Sequence, residues 1–126
     1  MRGSRNFAPL HPGYEETHRE EFMIKVTVLY PSDKGSKFDI DYYCTKHMPM
    51  VQQKLGAACK KIAVERGLEG ATPGSKPGFA AMGHLYCDSV EAFRAAFGPH
   101  AKEIMADIPN YTDIPPTIQI SEVKLY

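Results

Sequence analysis

The chain has 126 residues, with 15 basic and 15 acidic side chains that cancel at neutral pH. That length supports one domain around one hydrophobic core, and without a Lys/Arg cluster no nucleic acid partner is expected. No apolar run reaches the roughly 20 residues of a membrane span, no signal peptide opens the chain, and Cys44, Cys59 and Cys87 form no CxxC pair, so a reducing cytoplasmic setting is expected.

Residues 1–22 are polar, charged and aperiodic, with Pro9 and Pro12, and are expected to form an N-terminal arm ahead of a domain spanning 23–126. "MIKVTVLY" then alternates as a strand does, with Ile24, Val26 and Val28 on one face and Lys25, Thr27 and Leu29 on the other. After the loop "PSDKGSK", Asp39 suits an N-cap and Phe38 can staple onto Tyr43. Ile40, Tyr43, Cys44, His47, Val51 and Leu55 recur at helical spacing, and Gly56 can close the helix. Pro49 interrupts this pattern. It cannot donate to the Thr45 carbonyl and its ring crowds that carbonyl, so a kink or an end is expected beside His47.

"KKIAVERGL" reads as a second strand and "EGATPGSKPG" as a connection long for a hairpin. "FAAMGHLYC" is a third strand, with Ala80, Met82, His84 and Tyr86 on one face and the small residues Ala81 and Gly83 on the other, where a helix can approach closely. Asp88 and Glu91 suggest a capping box for a second helix carrying Val90, Phe93 and Phe97. Gly98-Pro99 interrupts it, "HAKEIMAD" continues it, "IPNYTDIPP" is a loop, and "TIQISEVKLY" is the last strand. The order β-α-β-β-α-β predicts an α+β, ferredoxin-like domain with two helices on one face of an antiparallel sheet. The other face mixes Thr27, Leu29, Gln119 and Ser121. Pairing two such faces would bury both around a cavity, so a homodimer is expected.

His47 is the foremost candidate for chemistry. An imidazole titrates near pH 6.5, and modest burial or one partner can set it as acid or base; a core histidine satisfied by a carbonyl is the competing reading. His84 is expected to turn toward the cavity between the sheets, as a second candidate catalytic group. Tyr30, Tyr43 and Tyr111 could each offer a phenol to a carbonyl or enolate, or simply edge the core. Thr27 and Gln119 would add polar groups to the cavity wall, with His47 at its mouth. No spacing of His, Cys or carboxylates marks a metal site, and no phosphate-cradling glycine loop or nucleophile elbow is present. No cofactor is expected.

"FDIDYYCTKHMPMV", "GHLYCDSVEAF" and "MADIPNYTDIPPTIQISEV" together resemble the EthD family, named for a protein encoded with the ethyl tert-butyl ether degradation system. The resemblance runs from about Met23 to Leu125, and the His-x-Pro of His47 and Pro49 matches the family's motif. It implies a dimeric α/β barrel of two ferredoxin-like subunits. Relatives of that barrel include polyketide cyclases, quinone-forming monooxygenases, haem-degrading enzymes and muconolactone isomerase, so no one reaction follows. Three functions remain open. One is a cofactor-independent acid/base enzyme of isomerase, cyclase or monooxygenase-like type, acting on a small hydrophobic or aromatic molecule. The second is a carrier of such a metabolite for a partner oxygenase, and the third is a purely structural dimer.

Overall fold

The computed structural model describes residues 23–35 and 37–126; the expected arm, residues 1–22, lies outside them. Four strands form one antiparallel sheet: β1 (Ile24–Pro31), β2 (Cys59–Arg66), β3 (Phe79–Cys87) and β4 (Thr117–Glu122), in the order β2-β3-β1-β4. The hydrophobic alternation of β1 explains its central place. Val26 pairs with Leu85 on one side and Ile120 on the other, so three apolar side chains line up across one face. Ile62 and Val64 of β2 join that face opposite Leu85 and Gly83. Thr27, His84 and Gln119, the residues between, project from the opposite face.

The first helix, α1 (residues 40–55), begins as the sequence predicts. Asp39 accepts from the Tyr42 N–H at 3.1 Å, and the Phe38 and Tyr43 rings meet edge to face at 5.1 Å. The helix is α over Ile40–Tyr42, widens into one π turn over Tyr43–His47, and resumes as α over Met48–Leu55. The expected disturbance at Pro49 takes this form. The Met48 N–H reaches back five residues to the Tyr43 carbonyl, and widening the turn just before Pro49 eases the crowding its ring would impose on the preceding carbonyls. Gly56, at φ 60°, closes the helix by donating to the Gln52 carbonyl.

The second helix, α2 (residues 90–106), runs as Val90–Phe97, a tight turn at Gly98–His100 and Ala101–Ala106. Its N-cap is Ser89, not the expected Asp88. Ser89 has an extended backbone, and its Oγ accepts from the Ala92 N–H at 3.0 Å. Asp88 stands one residue too early and meets Lys60 at 3.4 Å instead. The last strand is shorter than expected and stops at Glu122, after which the Val123 N–H donates to the Met23 carbonyl.

Both helices lie on the face that carries Val26 and Leu85. The Tyr43 ring of α1 seats its hydroxyl directly over Gly83, where a β-carbon would collide with it. The core is built there from Val26, Tyr30, Tyr43, Met48, Val51, Leu55, Leu85, Phe93 and Ile104. Cys59 and Cys87 are buried thiols and Cys44 is an exposed one. Among the described residues no helix is long and apolar enough to cross a membrane.

Candidate functional site

The helices cover β2, β3 and β1 more fully than the β4 edge. A cavity of about 370 Å³ results, floored by Val26, Val28 and Leu85 and roofed by α1 and α2. Its wall is almost wholly aliphatic and aromatic, and the polar groups that reach it are few: Tyr30, Tyr43, His47 and Arg94. Met105 and Ile118 stand at the rim, 44% and 49% exposed. A pocket of this size and character suits a small apolar ligand.

His47 lies within that wall, only 5% exposed, at the end of the π turn. Its ring stacks on Tyr43 at 5.6 Å and meets Tyr111 at 4.7 Å. Its Nδ1 is 2.9 Å from Oδ2 of Asp107, the residue that ends α2. Asp107 is held in turn by the Tyr42 hydroxyl at 2.7 Å and the Asn110 amide at 2.9 Å, both donating to Oδ1. Burial alone would raise the Asp107 pKa, but the hydrogen bonds from Asn110, His47 and Tyr42 together hold it below the usual carboxylate value.

Burial is the main influence on His47 and lowers its pKa below 6.5, against the opposing pull of Asp107. The pair at neutral pH is therefore a carboxylate and a neutral imidazole. A carboxylate can only accept, so the ring proton sits on Nδ1 and Nε2 carries the lone pair. Nε2 has no hydrogen-bond partner among the described residues, and the ring borders the cavity. An imidazole oriented through one nitrogen and open at the other is the arrangement a general base requires.

The phenols divide in their placement. Tyr30 and Tyr43 line the cavity, whereas Tyr111 is fully buried behind them and bonds hydroxyl to hydroxyl with Tyr30 at 2.6 Å. Desolvation is the leading reason that all three phenols titrate above their ordinary range. They are neutral hydroxyls, able to donate but not to act as anions.

The residues expected around one cavity fall into two groups. Tyr30, Tyr43 and His47 are on the helix side of the sheet, while Thr27, His84, Gln119 and Ser121 are on the open side. Within one chain the two sets therefore line separate spaces. Strand alternation fixes the division: Gly83 and Leu85 face the helices, so His84 between them cannot. His47 opens under the helices and not toward a space between two sheets. On the open side, His84 is 6% exposed with Nδ1 3.4 Å from the Thr27 hydroxyl. Its Nε2 has Glu65 at 3.4 Å but outside hydrogen-bond geometry. Among the described residues no three His, Cys, Asp or Glu side chains converge on a point that could hold a metal ion.

Asp107 was not singled out from the sequence. A signal was available in its position. A carboxylate at a helix C-terminus faces the negative end of the helix dipole and needs donors to hold it there.

Fold and site define a class: a ferredoxin-like α+β domain with an apolar cavity beneath its helices and a buried histidine–carboxylate pair in the wall. The EthD domain profile matches residues 36–115, and the chain belongs to the EthD family. The crystal structure of an EthD-like protein from Ralstonia eutropha JMP134 is 52% identical, with a TM-score of 0.79 over 83% of this chain and 95% of that one. An EthD family protein from Bacillus halodurans C-125 shares the fold at 22% identity and a TM-score of 0.61, over 80% of this chain and 98% of that one. An uncharacterized 11.0 kDa protein of Rhodococcus erythropolis, from the thcB-thcC intergenic region, is 34% identical over 92 residues, 71% of this chain and 84% of that protein.

Proposed function

We propose that this EthD protein is a cofactor-independent enzyme that moves a proton on a small apolar or aromatic molecule held beneath the helices. The observation that carries the reading is the His47–Asp107 pair at the cavity wall, with Nδ1 bound at 2.9 Å and Nε2 without a hydrogen-bond partner among the described residues. His47 is the base, Asp107 the group that orients it, and Tyr30 and Tyr43 the neutral phenols beside the reacting centre. A bound ketone or phenol would lose a proton to Nε2, and the resulting imidazolium would be stabilised by Asp107. The proton would then return at another carbon, giving an isomer, or to the alkoxide formed when the enolate attacks a second carbonyl of the same molecule, giving ring closure. General base catalysis of this kind contributes about 10²- to 10⁴-fold.

The open sheet face supports a homodimer as part of the same proposal. Leu29 and Met82 are apolar there beside the polar Thr27 and Gln119, a mixture better suited to a second sheet than to water. Thr27, His84 and Gln119 then belong to the subunit interface and not to the chemistry.

Deuterium exchange tests the enzyme reading. 2-Tetralone, a small aromatic ketone with acidic C–H bonds, would be incubated with the protein in D₂O and followed by NMR. Exchange well above the buffer rate is expected, with near-complete loss in His47→Ala while the binding shifts of the ketone persist. Binding without exchange would replace the enzyme by a carrier, of the sort that could serve a partner oxygenase. No binding at millimolar ketone would overturn the cavity reading altogether.

A further inference from the structure

Among the described residues that line the cavity, Arg94 is the one with a fixed charge. It lies in the last turn of Val90–Phe97, between the cavity-lining rings of Phe93 and Phe97 in sequence, and it is exposed. Among the described residues no carboxylate forms an ion pair with it. Asp107 is bound to His47, Tyr42 and Asn110, and Glu103 pairs with Lys54 across the two helices at 3.1 Å. The cavity thus has a buried, neutral, proton-accepting part at His47 and a solvated cationic part at Arg94, with aliphatic and aromatic wall around them.

We propose that the ligand is an apolar or aromatic carboxylic acid, whose hydrocarbon body fills the cavity and whose carboxylate is seated on Arg94. This rests on the cavity being the ligand site, and it adds the substrate class. A guanidinium presents paired N–H donors that match the two oxygens of a carboxylate, a fit that an ammonium does not reproduce. The carboxylate keeps water on its outer side, so it pays little desolvation, while the body gains from leaving water. The arrangement also gives the ligand one orientation. With the charge held at Arg94 on α2, the hydrocarbon body occupies the cavity whose wall His47 of α1 shares, where proton transfer takes place. Arg94 is in this sense a specificity residue and not a catalytic one.

The test compares 3-phenylpropionate with its neutral isostere 3-phenylpropionamide, each titrated by NMR against the full chain at low salt. The carboxylate is expected to bind about tenfold more tightly, a preference of the size that charge-assisted hydrogen bonds provide at an exposed rim. Arg94→Gln should erase that preference by weakening the acid far more than the amide, and Arg94→Lys should keep only part of it. A thermal melt and NMR spectrum like those of the native chain certify that Arg94→Gln is folded. Equal binding of acid and amide by the native chain would overturn the carboxylate assignment while leaving the cavity intact as a ligand site. A preference that survives Arg94→Gln would overturn the role of Arg94. Failure of both compounds to bind at millimolar concentration would overturn the inference together with the reading on which it rests.

Discussion

His47 and Asp107, 60 residues apart in sequence, meet with Nδ1 and Oδ2 at 2.9 Å, which joins the π turn of α1 to the end of α2. Replacing Asp107 by Asn removes the charge and the hydrogen bond that raise the His47 pKa, and leaves burial to lower it further. An amide can also donate, which would hold the other tautomer and put the proton on Nε2. Asp107→Asn should therefore lower the His47 pKa, read from the NMR titration of its ring carbons. It should also depress tetralone exchange by about 10²-fold or more. An unchanged exchange rate would show that Asp107 does not orient the base.

Acid should destabilise the fold in two stages. His47 has a folded pKa below 6.5, so as pH falls past 6.5 the unfolded chain takes up its proton first and the native state loses ground. Asp107 has a folded pKa below 3.8, so its contribution is present above that value and is lost as pH drops through and below it. Urea midpoints measured from pH 8 to pH 3 should decline first just under pH 6.5. In His47→Gln that first decline should be absent while the second remains.

The buried Tyr30–Tyr111 hydroxyl pair offers a cleaner energetic test. Tyr30→Phe strands the Tyr111 hydroxyl in the core, at a cost of about 1–3 kcal/mol, whereas Tyr111→Phe costs less because the Tyr30 hydroxyl keeps Tyr43 beside it. Changing both removes the need as well as the bond. The double variant should be less destabilised than the two single losses added together, as read from denaturant unfolding. Strict additivity would mean that the hydroxyls find other partners.

Gly83→Ala sets two effects in opposition. Alanine in a strand interior ordinarily gains roughly 0.5–1 kcal/mol over glycine. Here its methyl would run into the Tyr43 hydroxyl and press on the ring carbon behind it. Tyr43 is 1% exposed and its ring is held by Tyr30, Phe38 and Tyr111, so giving way would cost those contacts. Sterics should win, with a net loss of about 1–3 kcal/mol. Adding Tyr43→Phe should return part of it. A Gly83→Ala protein as stable as the native one in a thermal melt would show that α1 can lift off β3 at little cost.

Much of this was legible in the sequence because it depends on local periodicity. The alternation in "MIKVTVLY" and "FAAMGHLYC" gave the strands and their faces, and Asp39, Phe38 and Gly56 gave both ends of α1. What escaped depends on contacts distant in the chain. Asp107 reaches His47 only because α2 folds back over α1, and no spacing announces that. The cavity beneath the helices was legible only in part, because alternation puts Ile24, Val26 and Val28 on one face but nothing local says which face the helices cover. Ser89 displaced Asp88 as the cap because a cap must stand three residues before the amide it receives, and the amide is that of Ala92.

Four of the five buried positions of α1, Tyr43, His47, Val51 and Leu55, follow one another at intervals of four. On an unbroken α-helix each such step overshoots a full turn by about 40°, and three steps accumulate about 120°. Leu55 would then face well away from the direction of Tyr43. The wide turn over Tyr43–His47 closes after five residues, so its first step falls short of a full turn where an α step would pass it, and part of the drift is cancelled. Removing one residue from that turn, at the exposed Cys44 for instance, would restore an even winding at the expense of the alignment. The rings of Tyr43 and His47 could no longer stack while Val51 and Leu55 kept their places against the sheet.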